Sequence, residues 1–128
     1  MQIVDNKVLV LRTKYPHKYA VIPRSHNLGE VSKGVHEVAV FWGLDEVRVL
    51  KNIGVRNPPS PILKDYTWPG KFKPFKHQIE TASFLTLHRQ AFVFSEPGTG
   101  KTLSALWAAD FLMRKGHVKR CLILCPLS

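Results

Sequence analysis

Hydrophobic and polar positions alternate, drift and run together in a readable order along this chain. Ile3-Val4, then Asp5-Asn6, then Val8 to Leu11 is the pattern of a hairpin with a polar turn. Tyr19 to Ile22 is a second apolar stretch, closed by Pro23. From Val35 to Trp42 the period is two, with Val38, Val40 and Trp42 on one face and Glu37 on the other, which predicts a half-buried strand. The period then changes: Leu44, Val47, Leu50 and Ile53 share one stripe, Asp45 and Glu46 fall in the first turn, and Gly54 is placed to stop a short amphipathic helix.

Asn57-Pro-Pro-Ser-Pro61 cannot continue a helix and predicts a stiff, extended spacer. Beyond it, Lys64 to Lys76 interleaves Tyr66, Trp68, Phe72 and Phe75 with Lys64, Lys71, Lys73 and Lys76. Such rings and ammonium groups suit stacking on bases and holding phosphates, although for Trp68 anchorage to a core is the favoured reading. His77 to His88 predicts a helix buried through Ile79, Ala82, Ser83 and Leu85 to Leu87. Gln78 within it carries an amide that donates and accepts together, as an adenine edge requires. Ala91 to Phe94 has strand length. Leu103, Leu106, Trp107, Asp110, Phe111 and Met113 belong to one further helix, ended by Gly116, and Cys121 to Cys125 reads as a strand buried on both faces. Strand, helix, strand with a right-handed crossover predicts a parallel βαβ unit.

Between the first of those strands and its helix stands Ser95-Glu-Pro-Gly-Thr-Gly-Lys-Thr102. Gly98 and Gly100 free the backbone to curl around a phosphate, and the helix opening near Lys101 adds unpaired N–H groups and the positive end of a dipole. Lys101 is then the cation for the β/γ-phosphates and Thr102 the ligand for Mg²⁺. One position departs from G-x-x-x-x-G-K-[ST]: Ser95 stands where the first glycine belongs. The alternative is a chance Gly-Lys-Thr turn ahead of an ordinary helix, and the strand–loop–helix context favours the phosphate loop.

Composition changes the picture in two ways. The formal net charge is +10, shared evenly between the two halves, which suits a polyanionic partner. Cys121 and Cys125 are the only cysteines, and on a strand they would lie about 13 Å apart, too far to bridge. They read as free, buried thiols in a reducing compartment. Neither they nor the scattered histidines have zinc-ligand spacing, and His17, His26 and His36 read as solvated or core-satisfied. No transmembrane run or signal segment is apparent, so a soluble, cytoplasmic protein without a membrane partner is expected.

Three segments, Lys73-Pro-Phe-Lys-His-Gln78, Ser95 to Thr102, and Leu122-Ile-Leu-Cys-Pro-Leu-Ser128, together resemble the start of a superfamily 2 helicase core, most closely the Swi/Snf-related DNA translocases. The resemblance implies that Phe75 and Gln78 meet adenine, and that Glu96, Pro97, Gly98, Thr99, Gly100, Lys101 and Thr102 hold ATP and Mg²⁺. It also implies that Pro126, Leu127 and Ser128 lie along a nucleic-acid backbone, DNA ahead of RNA. Ser95-Glu96 replaces the more usual Asp-Glu of that family. The resemblance covers residues 64–128. Its Pro-Gly-Thr-Gly-Lys-Thr element is also common in AAA+ ATPases, but the glutamine helix before it and Cys-Pro-Leu-Ser behind it suit the helicase better.

The resulting expectation is an α/β chain: a small α+β accessory module over 1–57, a Pro/aromatic/basic linker over 58–76, and the start of a RecA-like P-loop lobe over 77–128. Small domains ahead of such cores in phage-type and fork-remodelling relatives are often DNA-binding, an analogy only. The function expected is that of the N-terminal part of an ATP-dependent DNA helicase or translocase. The alternatives are an AAA+ or other P-loop ATPase, and a non-catalytic nucleic-acid-binding module with a degenerate P-loop. In the resembled family the Mg²⁺-holding acid and the residue that orients water come from a later strand, and an arginine from a second lobe. Residues 1–128 alone are therefore expected not to turn over ATP, and to leave an exposed apolar edge at Leu122 to Leu124.

Overall fold

The computed structural model describes residues 1–71 and 73–127. The chain divides into two compact units, Met1–Lys64 and Asp65–Ser128.

The first unit is built on a four-stranded antiparallel sheet of β1 (Gln2–Val4), β2 (Val8–Thr13), β3 (Ser25–Ser32) and β4 (Val35–Phe41), in the order β1-β2-β4-β3. Asp5 and Asn6, both at positive φ (50° and 55°), are the central residues of the turn into β2, which the Lys7 N–H closes by donating to the Val4 carbonyl (3.0 Å). Their short polar side chains tolerate that conformation, and it matches the twist of a hairpin. In the ladder Leu9 faces Val40 and Leu11 faces Val38, and all four side chains are buried. Trp42 and the stripe Leu44, Val47 and Leu50 of α1 (Leu44–Asn52) complete this core with Ile22 and Ile62. Gly54, at φ 96°, follows the last turn of α1 as its pattern predicts. The proline stretch is packed in this unit: Trp42 Nε1 donates to the Pro59 carbonyl (2.8 Å), and Ser60 and Ile62 are buried.

The short helix α2 (Ile62–Asp65) marks the passage to the second unit. There α3 (Lys76–Leu87) packs on α4 (Lys101–Arg114). Small side chains at the buried positions, Ala82, Ser104 and Ala108, let the helices approach, while Trp107 and Phe111 fill the remaining volume. Tyr66 joins them, its ring set edge-on to Phe111 at 6.0 Å and to Trp68 at 5.1 Å.

The expectation of a parallel βαβ unit, and with it a RecA-like lobe, is overturned. The sheet of the described residues is antiparallel and lies within residues 2–41. Ala91 to Phe94 and Cys121 to Cys125 form no strand. Phe92, Phe94, Leu122 and Leu124 are each more than four-fifths exposed, and both cysteines are exposed rather than buried. An apolar run becomes a parallel strand only when neighbouring strands take up its N–H and C=O groups and cover both faces. Among the described residues these two runs have no such neighbours. The antiparallel sheet forms because each of its outer pairings is a local hairpin, closed by a turn that its own sequence encodes.

Candidate phosphate-binding loop

The local chemistry of residues 95–102 survives the loss of the flanking strands. Gly98 and Gly100 both sit at φ 78°, a left-handed conformation that side chains resist, and Gly100 caps α4. Thr99 Oγ1 donates back to the Glu96 carbonyl (2.9 Å), closing the loop on itself. Lys101 Nζ donates to the carbonyls of Ser95 and Glu96, at 3.3 Å for the latter, so the ammonium group lies over the loop. Helix α4 runs for 14 residues from Lys101, leaving its first N–H groups without intrahelical partners. Thr102, Glu96, Pro97 and Gly98 are exposed.

Helix α3 is held against this loop through Thr99. His77 Nε2 donates to the Thr99 carbonyl at 2.9 Å, and Gln78 Nε2 reaches the same oxygen at 3.5 Å. Gln78 Oε1 in turn accepts from the Phe75 N–H (2.9 Å), satisfying one of the unpaired donors at the start of α3. The amide expected to meet adenine is thus buried and engaged by the protein on both ends. Phe75 is two-thirds exposed and stacks on the His77 ring, 5.6 Å between centroids and nearly parallel.

The structure therefore brings together Gln78, Thr99, Gly100 and Lys101, with Phe75 at the start of the same helix. Pro126 and Leu127 lie in an exposed segment without regular structure, and Ser128, like Phe72, lies outside the described residues. His77 was not legible as a site residue; the signal was its position next to Gln78. Among the described residues no cluster of His, Cys, Asp or Glu is arranged to hold a metal ion on its own, and no helix is long and apolar enough to cross a membrane. For Mg²⁺ the residue at hand is Thr102, whose exposed hydroxyl begins α4 and fits a hard cation that keeps most of its waters and shares phosphate oxygens.

Comparison with profiles of known protein families, with curated proteins and with solved structures found no match.

Proposed function

We propose that this chain supplies the nucleotide-binding part of an ATP-dependent DNA helicase or translocase, with ATP and Mg²⁺ taken up at Glu96 to Thr102. The observation that carries this reading is the placement of the Lys101 ammonium group over a loop turned by two left-handed glycines at the opening of a long helix. A polyphosphate arriving there offers charged oxygens in place of the neutral Ser95 and Glu96 carbonyls, so the ammonium group exchanges an ion–dipole contact for an ion pair. The unpaired N–H groups of the first turn of α4 and its dipole favour the same anion. Gln78 and His77 couple α3 to the loop through the Thr99 carbonyl, so a shift of the loop on binding is felt at the start of α3. The helicase assignment itself rests on the three-segment resemblance, and DNA as partner on the same resemblance and the charge of +10.

Calorimetric titration of ATP and ADP tests the reading. Lys101→Ala should abolish binding of both, and Thr102→Ala should weaken the Mg²⁺ dependence more than binding itself. Unchanged affinity in Lys101→Ala overturns it.

A further inference from the structure

Ahead of α3 the second unit carries an open cavity of about 470 Å³ that the phosphate loop does not use. Its lining includes Tyr66, Trp68, Lys71, Lys73, Pro74 and Ile79. The volume lies within the roughly 300–1,000 Å³ typical of small-ligand sites. Its walls combine π-faces and apolar surface with two ammonium groups, and none of the described residues that line it is acidic.

The aromatic wall is fixed before any ligand arrives. The Tyr66 hydroxyl donates to Asp110 Oδ2 at 2.7 Å, and its ring meets Phe111 and Trp68 edge-on. Trp68 is also T-shaped to Trp107, at 5.2 Å. A half-buried indole held from two sides loses little freedom when something stacks on it, so stacking there costs less than on a mobile ring.

We propose that this cavity holds one unpaired base of a single-stranded nucleic acid, stacked on Trp68, with Lys71 and Lys73 on the flanking phosphates. The proposal rests on the nucleic-acid partner proposed above and adds where, and in which form, the strand is held. An apolar peptide would meet the π-faces but leave two cations without counter-charge. Duplex DNA would satisfy the lysines but keeps its bases stacked inside, whereas a single strand presents both a free π-face and a phosphate on either side of it.

The test is a fluorescence-anisotropy titration with two labelled oligonucleotides of equal length, oligodeoxythymidylate and its abasic counterpart. Wild type should bind the thymidylate strand better than the abasic one. Trp68→Ala should lose about tenfold or more on the thymidylate strand and bind both strands alike, as expected for one lost base–aromatic stack, while Trp68→Phe recovers most of the difference. Lys71→Ala should weaken both strands equally and flatten the salt dependence. Photocrosslinking of wild type to a strand carrying 5-iododeoxyuridine reports without any substitution, and should label Trp68 or Tyr66. Unchanged thymidylate affinity in Trp68→Ala, or labelling confined to other segments, overturns the cavity assignment and leaves the nucleic-acid reading standing. Salt-insensitive binding, or none, in wild type overturns both. Displacement of the strand by ATP in Lys101→Ala would make the cavity a mononucleotide site and also overturns the proposal.

Discussion

A Cβ on Gly100 would stand 2.1 Å from the side-chain nitrogen of Gln78. That approach is closer than any two such atoms tolerate, so the bare backbone of Gly100 leaves room for Gln78 to reach the Thr99 carbonyl at the opening of α4. Gly98 has the same φ of 78° but open space around its Cβ position. The two glycines therefore separate conformational strain from close approach.

Gly98→Ala is expected to cost about 1–2 kcal/mol, the strain of a left-handed alanine. Gly100→Ala carries the same strain and must also push Gln78 aside, breaking its bond to Thr99 and disturbing the cap of α3, for a further ~1 kcal/mol. Thermal unfolding of the two variants measures the difference. Equal losses would mean that the approach of Gln78 contributes nothing.

Gln78 serves two partners, and a conservative substitution divides them. Gln78→Glu keeps an acceptor for the Phe75 N–H but loses the donor to Thr99, whereas Gln78→Ala loses both. The alanine variant should be less stable than the glutamate one by about 1 kcal/mol, the value of a helix cap. If the amide also turns to adenine when nucleotide binds, both variants lose preference for ATP over GTP while their phosphate contacts persist. An unaltered ATP/GTP affinity ratio in both would confine Gln78 to the cap and the loop.

The parts legible in the sequence are those whose cause lies within a few residues. Asp5-Asn6 makes a turn by its own chemistry, Val38 and Val40 alternate into the core, and Leu44, Val47 and Leu50 share a stripe that ends at Gly54. The left-handed turn at Gly98 and Gly100 is local in the same sense. Phe92 to Phe94 and Cys121 to Cys125 are different, because an apolar run says what could be buried and not what would cover it. Strand β3 is illegible for the opposite reason: its apolar residues, Leu28 and Val31, are themselves about half exposed, so no alternation marks it. The roles of His77 and Gln78 at Thr99 depend on a tertiary approach of α3 to the loop, with Gln78 set against the bare backbone of Gly100, and no spacing encodes that.

In the first unit, Arg24 and Glu46 test how burial sets the worth of an ion pair. Arg24 Nε donates to Glu46 Oε1 at 2.8 Å, and its guanidinium lies 3.9 Å from the centre of the Phe41 ring. Glu46 is 1% exposed and its Oε2 has no hydrogen-bond partner among the described residues, so Arg24 is the main compensation for a buried carboxylate. Arg12 and Glu37 pair at a similar distance, 3.0 Å, but Glu37 keeps a quarter of its side chain in solvent and Arg12 about three-quarters. Arg24→Ala should cost about 2–3 kcal/mol in denaturant unfolding, somewhat below a fully buried pair because the arginine itself is exposed. Arg12→Ala should cost less than ~1 kcal/mol. Comparable losses would show that Glu46 is solvated after Arg24 is removed.

The Tyr66–Asp110 bond predicts opposite behaviour at the two ends of the pH scale. Burial pushes the Tyr66 hydroxyl up from 10.0 to about 12, helped by its hydrogen bond to Asp110 and by that carboxylate's charge. The same hydrogen bond, with Arg114 at 3.0 Å, holds Asp110 below the ordinary carboxylate value of 3.8. A raised acid in the folded state stabilises it fully below its unfolded value, so the Tyr66 contribution is intact up to pH 10 and is lost as pH climbs toward 12. A lowered carboxyl works the other way: its contribution is present above 3.8 and fades as pH falls through the depressed value. Tyr66→Phe should cost about 1 kcal/mol at neutral pH, the net value of the hydrogen bond. Between pH 10 and 12 wild type should then lose up to ~2 kcal/mol that the phenylalanine variant does not, so the gap closes and the order of the two stabilities reverses. In acid the variant should also lose less than wild type, because Asp110 no longer has the hydroxyl to depress it. Unfolding curves of the two proteins from pH 3 to 12 decide the matter: a constant gap across the alkaline range would mean that Tyr66 ionises freely and that neither its burial nor its bond to Asp110 resists the charge.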